Sequence, residues 1–460
     1  MRIHAAMRGI SLRSLLERLG LHRPELRAWA MYDWANSAFI LVIVTAVFPI
    51  YFREVAAKNL TAEHATTQYG WATTVALTVA ALLSPILGAL ADFRAARKRM
   101  LAVFLLLGVA ATGCMYLLGE GDWQPALGLF IVGNVGLTLT FVFYDSLLPH
   151  IASSAEIDRV SAAGYALGYL GSGLLLMLNL AWIQYPSTFG IADSETATRL
   201  SFLSVALWWA LFSLPLFRRV SEPPRRLEAD ESATAGAIRV TFRRLLETVH
   251  ELRGLYSQAF LMLVAMLVYN DGIGTIIRMA AVYATDIGIP RQHIILAILL
   301  VQFVGIPFSF LFGTVATRIG AKWSIMIGLA VYGATSIVAY SMTSVEEFYL
   351  LAMLVASVQG GTQALSRSLF ASMIPKHKTS EMFGFFSVFD KVSGILGPFL
   401  FSTALVATGS TRSAILSVIV FFIVGAVLLF FVNVEKGRRE AERAEALLLS
   451  GASGHSRRQP

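Results

Sequence analysis

Six charged or amide side chains lie inside long apolar runs: Asp33, Asn270, Asp271, Arg278, Asp390 and Lys391. A charge at the centre of a bilayer costs about 2.5 to 3.5 kcal/mol on insertion scales, so each must have a partner, water or a task. Asp33 begins a polar stripe with Asn36 and Ser37 at i+3 and i+4. It suits a proton or cation site, or else the cap of a helix start. Asp271 sits in the string Tyr269-Asn270-Asp271-Gly272-Ile-Gly274, and Arg278 follows two helical turns along the same face. Together they offer an anion to an ammonium and a cation to a carboxylate, as a zwitterion requires; a structural ion pair is the other reading. Asp390 and Lys391 are neighbours, so on a helix they project about 100° apart and are not expected simply to neutralise each other. Lys391 is a second carboxylate partner, unless it snorkels to the surface. Gln359 and Gln363 share a face and suit either a bound solute or contacts between helices.

The elements that must hold these residues are membrane helices. Of the 460 residues 56% are hydrophobic and 14% charged, against about 25% charged in soluble domains. A span needs roughly 20 apolar residues. Uncharged runs of that length occur twelve times, and they are continuously apolar rather than alternating, which predicts helices and not a barrel. Span seven, 255 to 286, is too long for one straight crossing. Its Gly272 and Gly274 predict a break at the midplane, where discontinuous helices offer backbone groups to a ligand.

Lys and Arg number 37 and the net charge is +8, a balance that raises nucleic-acid binding only if the charge is clustered for it. Instead 30 of them fall on one side of the twelve spans, five on the other and two within spans. That count places Arg367 in a loop. The bias predicts both termini in the cytoplasm of a multi-pass cell-membrane protein, and no nucleic-acid partner. The domains expected are a cytoplasmic segment over 1–27 with an amphipathic surface helix (Ile10, Leu12, Leu15, Leu16, Leu19), a six-helix bundle over 28–217, a cytoplasmic linker over 218–254 with a basic helix near 238–252, a second bundle over 255–432 and a tail over 433–460.

The halves repeat. Gly88-Ala-Leu-Ala-Asp92-Phe-Arg94-Ala-Ala-Arg97-Lys98 follows span two, and Gly313-Thr-Val-Ala-Thr317-Arg318-Ile-Gly320-Ala-Lys322 follows span eight. Ser146-Leu-Leu-Pro149 after span four corresponds to Ser372-Met-Ile-Pro375 after span ten. In the first copy the basic cluster comes one residue late.

These strings resemble the loop motif of the major facilitator superfamily of secondary transporters. Ala28-Trp29-Ala-Met-Tyr32-Asp33-Trp34-Ala-Asn36-Ser37, Tyr269-Asn270-Asp271-Gly272 and Gly360-Gly361-Thr-Gln363-Ala-Leu-Ser366-Arg367-Ser368 look like its "unknown" major facilitator family, which includes fungal autophagy-related vacuolar amino-acid permeases. The resemblance implies an all-α fold of two pseudo-symmetric six-helix bundles and alternating-access transport of a small solute, amino acids first, coupled to protons. No cofactor is expected, and the carrier is expected to be a monomer in lipid. The expected binding residues are Asp33, Asn36, Tyr269, Asn270, Asp271, Arg278, Gln363, Asp390 and Lys391. Gating by resemblance falls to Gly88, Asp92, Arg94, Arg97, Asp145 with an arginine partner, Gly313, Arg318, Gly320 and Lys322; the competing reading of the basic loops is topology alone. A lipid or lysolipid carrier is the alternative. An intramembrane enzyme fits less well, because all eight histidines fall in loops, tails or span ends and Cys114 is the single cysteine.

Overall fold

A computed structural model describes residues 12–224, 250–394 and 396–456, together with Thr248. Among the described residues twelve helices are long and apolar enough to cross a membrane: Pro24–Ala56, Ala62–Arg94, Arg97–Leu117, Trp123–Ile151, Ile157–Gln184 and Ser194–Arg219 in the first half, then Ser257–Asp286, Arg291–Ile319, Ala321–Ser341, Val345–Ala371, Lys376–Thr408 and Thr411–Phe431. They are numbered here as spans one to twelve. In hydrocarbon every backbone N–H and C=O must be satisfied within the segment, so continuous apolar runs have little choice but helix. Starts are marked by side-chain caps: Thr61 accepts from the His64 amide, Asp193 from the Thr196 amide, and Ser344 with Glu347 forms a capping box. The Leu12–Arg18 and Val434–Ser456 helices lie at one end of the bundle, called the termini face below; the opposite end is the far face.

The repeat seen in the sequence is a repeat of contacts. Gly88 of span two lies against the Ser380 backbone at the start of span eleven, and a methyl group there would collide with the Ser380 carbonyl. Gly313 of span eight lies against span five, where a methyl would stand 2.7 Å from the Ala162 Cβ. Seven residues beyond each glycine the chain turns left-handed, at Ala95 with φ 46 and at Gly320 with φ 85. Ala95 thus adopts a conformation that favours glycine, which the second copy supplies. Lys98 Nζ then donates to the Phe217 and Val220 carbonyls at the end of span six, and Lys322 Nζ to those of Phe430 and Val432 at the end of span twelve. Each lysine satisfies carbonyls that a helix C-terminus leaves free.

The expected break in span seven is corrected. Span seven is one unbroken α-helix, Ser257–Asp286. Gly272 serves close packing, since a Cβ there would lie 2.9 Å from Phe421 and Phe422 of span twelve. The interruption is in span eleven, which runs as Thr379–Val392 and Leu396–Thr408 with a turn at Ser393-Gly394. Pro398 then occupies the first turn of the second segment, where no backbone donor is lost. Within the expected tail, 433–460, the chain forms a helix over Val434–Ser456. It lies across the termini face, where its Glu445 accepts from the Lys376 amide and Asn433 just before it donates to Gln258.

Before span one a short helix, Leu12–Arg18, packs Leu16 and Leu19 against the core, while Leu15 and Arg13 face outward. Ile10 of the expected amphipathic helix lies outside the described residues, as does the basic helix expected near 238–252 apart from its last residues.

Candidate functional site

Between the halves lies a cavity of about 810 Å³. Its wall follows span one from Asp33 through Asn36, Ser37, Ile40 and Val44 to Thr45, and continues to Tyr69, Tyr283, Met342 and Phe348 near the far face. Along this wall span one opens into π-helical turns over Phe39–Ala46. Such turns widen a helix locally and recur at binding sites.

The termini side of the cavity is closed by a run of contacts between the halves. Arg97 Nη2 and Asp92 Oδ1 stand 2.6 Å apart, both side chains buried. Asp92 Oδ2 also accepts from the Glu381 amide at 2.9 Å, and Arg97 Nε donates to Ser380 Oγ at 3.0 Å. Ser380 Oγ bonds Ser146 Oγ, and Ser84 Oγ bonds Ser387 Oγ. The start of span eleven is therefore pinned to spans two, three and four. Among the expected gating residues, Gly88, Asp92, Arg97 and Gly313 lie at the junction of the halves. Arg94 and Arg318 are exposed, Gly320 shapes a turn, and Lys322 works inside its own half, so these four do not bridge.

At the floor of the cavity Arg367 stands between Asp33 and Asp145. Nη2 lies 3.1 Å from Asp33 Oδ2 and Nη1 3.1 Å from Asp145 Oδ1, while Nε donates to Ser161 Oγ. Its guanidinium carbon lies 4.7 Å from the ring centroids of Trp29 and Tyr165, a cation–π setting for a desolvated arginine. Arg367 thus belongs to the interior of span ten and not to a loop. It was hidden because Ser366 and Ser368 flank it close to the span's end; the apolar Leu369-Phe370 that follow were the available signal. Asp33 is ion-paired in the third turn of span one, and does not cap the helix start. The arginine partner expected for Asp145 is present.

The other expected residues divide. Asp390 and Lys391 do pair, with Nζ 2.8 Å from Oδ2, because the long lysine side chain folds back across the angle between neighbours. Asn270 Nδ2 donates to Asp390 Oδ1 at 2.9 Å and to Ser393 Oγ at 3.1 Å, tying span seven to the turn in span eleven. Tyr269 is buried, its hydroxyl 2.6 Å from Ser366 Oγ. Asp271 does not face the cavity with Arg278: it is fully buried, and its carboxylate accepts from the Leu396 and Gly397 amides at 3.0 and 2.8 Å. It caps the second segment of span eleven. Arg278 lines the cavity, as do Asn36, Gln359, Gln363, Asp390 and Lys391. No carboxylate among the described residues lies within ion-pair distance of it. Asn36 Nδ2 is buried without a hydrogen-bond partner among the described residues. Among those residues no group of three or more His, Cys, Asp or Glu could hold a metal.

Twelve spans in two related halves, with a cavity walled by both, define a transporter of the major facilitator superfamily. Over residues 69–442 the sequence matches the family described as "Vacuole effluxer Atg22 like", and the chain belongs to that family. Its relatives include the "Uncharacterized MFS-type transporter YxiO" of Bacillus subtilis, 36% identical over 89% of this chain and 94% of the relative. "Autophagy-related protein 22" of Kluyveromyces lactis is 25% identical over 76% of each chain. Among solved structures, the proton:xylose symporter XylE has a TM-score of 0.66 at 16% identity, over 95% of this chain and 99% of that one. The transporter FucP, in the outward conformation, has a TM-score of 0.67 at 12% identity, over 89% of this chain and 100% of that one. At these identities the structures share the fold.

Proposed function

We propose that this protein is a proton-coupled secondary carrier of small zwitterionic solutes, amino acids foremost, working by alternating access in the cell membrane with both termini in the cytoplasm. The observation that carries the reading is a cavity tied shut on the termini side and lined toward the far face. This is one of the two end states that rocking of two halves requires.

Charges in and beneath the wall support the solute class. Asp33, Asp145 and Arg367 together carry one surplus negative charge, Asp390 and Lys391 cancel, and Arg278 is left positive. A solute with a carboxylate and an ammonium complements both surpluses at once. The surplus carboxylate of the floor trio is the proton carrier in this scheme, since protonating Asp33 or Asp145 weakens the hold on Arg367. The family description, "Vacuole effluxer Atg22 like", agrees with transport out of a compartment.

The test is flux in proteoliposomes with each labelled L-amino acid, with and without a pH gradient. Saturable uptake of at least one of them, accelerated by the gradient, is expected. No saturable uptake of any, accompanied by protein-dependent flipping of labelled lipids, overturns the reading in favour of a lipid carrier.

A further inference from the structure

We propose that Arg278, seated in a notch between Gly274 and Gly394, is the anchor for the carboxylate of a monoanionic or zwitterionic ligand in the central cavity. The inference rests on the carrier reading above and names the group that selects its substrate.

The first argument is electrostatic exclusion. Arg278 is the cavity-lining cation that no acid of the described residues pairs. The two acids closest to it in the fold are already engaged. Asp271 gives its oxygens to the Leu396 and Gly397 amides, and Asp390 gives its own to Asn270 and Lys391. A guanidinium presents five N–H donors and cannot lose its charge at neutral pH, so it has no neutral form to retreat to. What remains to satisfy it is water or a ligand anion, and the planar fork matches a carboxylate with two parallel hydrogen bonds.

The second argument is shape. A Cβ at Gly274 would lie 2.9 Å from Arg278 Nη2 and 3.3 Å from its Cζ. A Cβ at Gly394 would lie 3.4 Å from Nη1. One glycine is on the same helix and the other in the turn that interrupts span eleven. Absence of side chains at both leaves a seat for the guanidinium of an arginine that lines the cavity. Neither glycine has a positive φ, so backbone conformation alone does not demand them.

The third argument sets the ligand's charge. The floor trio of Asp33, Asp145 and Arg367 is net negative and faces the same cavity. A phosphate or other dianion docked on Arg278 would meet that field unfavourably. A monocarboxylate meets it less, and one bearing an ammonium turns it into attraction.

The probes are n-butyrate, butyramide, propane-1-sulfonate and inorganic phosphate, titrated against protein in lipid nanodiscs by tryptophan fluorescence and thermal shift. Wild type should bind butyrate about tenfold more tightly than butyramide, because a site built around an ionic hydrogen bond rejects the analogue lacking it. Arg278→Gln should bring the two within about twofold and Arg278→Lys should fall between, since a point charge keeps attraction but loses the fork. Gly274→Ala favours helix, so it should keep the melting temperature while lowering butyrate affinity several-fold. Selectivity that survives Arg278→Gln, or none in wild type, overturns the assignment. Phosphate or sulfonate binding tighter than butyrate overturns the carboxylate class. If butyrate selectivity depends on Arg278 and yet no amino acid is carried, the subsite stands and the amino-acid function falls.

Discussion

Arg367 Nη2 stands 3.1 Å from Asp33 Oδ2, an ion pair between the tenth and first spans in which the side chains are 3% and 7% exposed. It joins the two halves below the cavity, and Asp145 completes it from span four. A pair so deeply desolvated adds little net stability over apolar packing, but removing one partner strands the other. Its consequence is therefore mainly conformational: the halves cannot part on the termini side without separating these charges.

Arg367→Ala should destabilise the state described here by about 3 to 5 kcal/mol, the usual cost of leaving a buried charge unpaired. Spin labels at Thr66 and Thr403, both exposed, should report a shorter separation as the far face closes. Asp33→Asn should do less, because Asp145 still holds the guanidinium. An unchanged label distance and melting temperature in Arg367→Ala would refute the lock.

Gly88→Leu should act in the same direction by steric means. The Ser380 backbone leaves no room for a side chain at position 88, and overpacking of this kind costs about 1 to 3 kcal/mol. Gly128→Ala is the control, because nothing lies within 4 Å of its Cβ position. That variant should be neutral or slightly stabilising through helix propensity. Equal melting temperatures for the two variants would count against a tight junction at Gly88.

Asp271→Ala should leave the Leu396 and Gly397 amides without their acceptor and cost about 1 to 2 kcal/mol, as loss of a helix cap does. The effect should be local, read as faster deuterium exchange over 396–401. Discrimination between butyrate and butyramide should stay as in wild type. Loss of that discrimination would return Asp271 to the binding site.

One pH response lies outside the spans. Burial pushes the Glu156 carboxyl up, but the Ser153 amide and hydroxyl and the Arg23 guanidinium outweigh it, so it titrates below its ordinary 4.5. A depressed acid contributes stability above its unfolded value and loses it as pH falls through the folded one. Arg23 bonds both Glu156 and the Ile151 carbonyl, fastening the chain just after the Leu12–Arg18 helix to the loop before span five. A dye at Leu15→Cys in a Cys114→Ser background should gain mobility as pH drops below 4.5. In Glu156→Gln it should be mobile already at pH 7. A dye equally immobile in both proteins at all pH values rules the clasp out.

Much of the fold was legible because each span is decided locally. Asp92 and Arg97 were legible too, since the loop motif keeps its spacing around them, and the basic cluster one residue late in the first copy reappears as Lys98 and Lys322 doing the same job. The break was misplaced between two glycine-bearing strings. Gly272-Ile-Gly274 and Gly394 with Gly397-Pro398 look alike in one dimension; whether a glycine bends a helix or admits a neighbour depends on what packs against it. At Gly272 that neighbour is Phe421 and Phe422.

Composition along the chain determined twelve spans, their duplication and the few charges that demand explanation, because transfer from water to lipid is a sum over each segment's own residues. Which charges are spent and which are free was decided only by tertiary structure. Asp33 meets an arginine 334 residues away, Asp271 meets amides 125 and 126 residues away, and Arg278 has no acid of the described residues within ion-pair distance. A charge's partner is set by the packing of helices remote in sequence, and on that packing rests the difference between a capping aspartate and a cavity-lining arginine two turns apart on one helix.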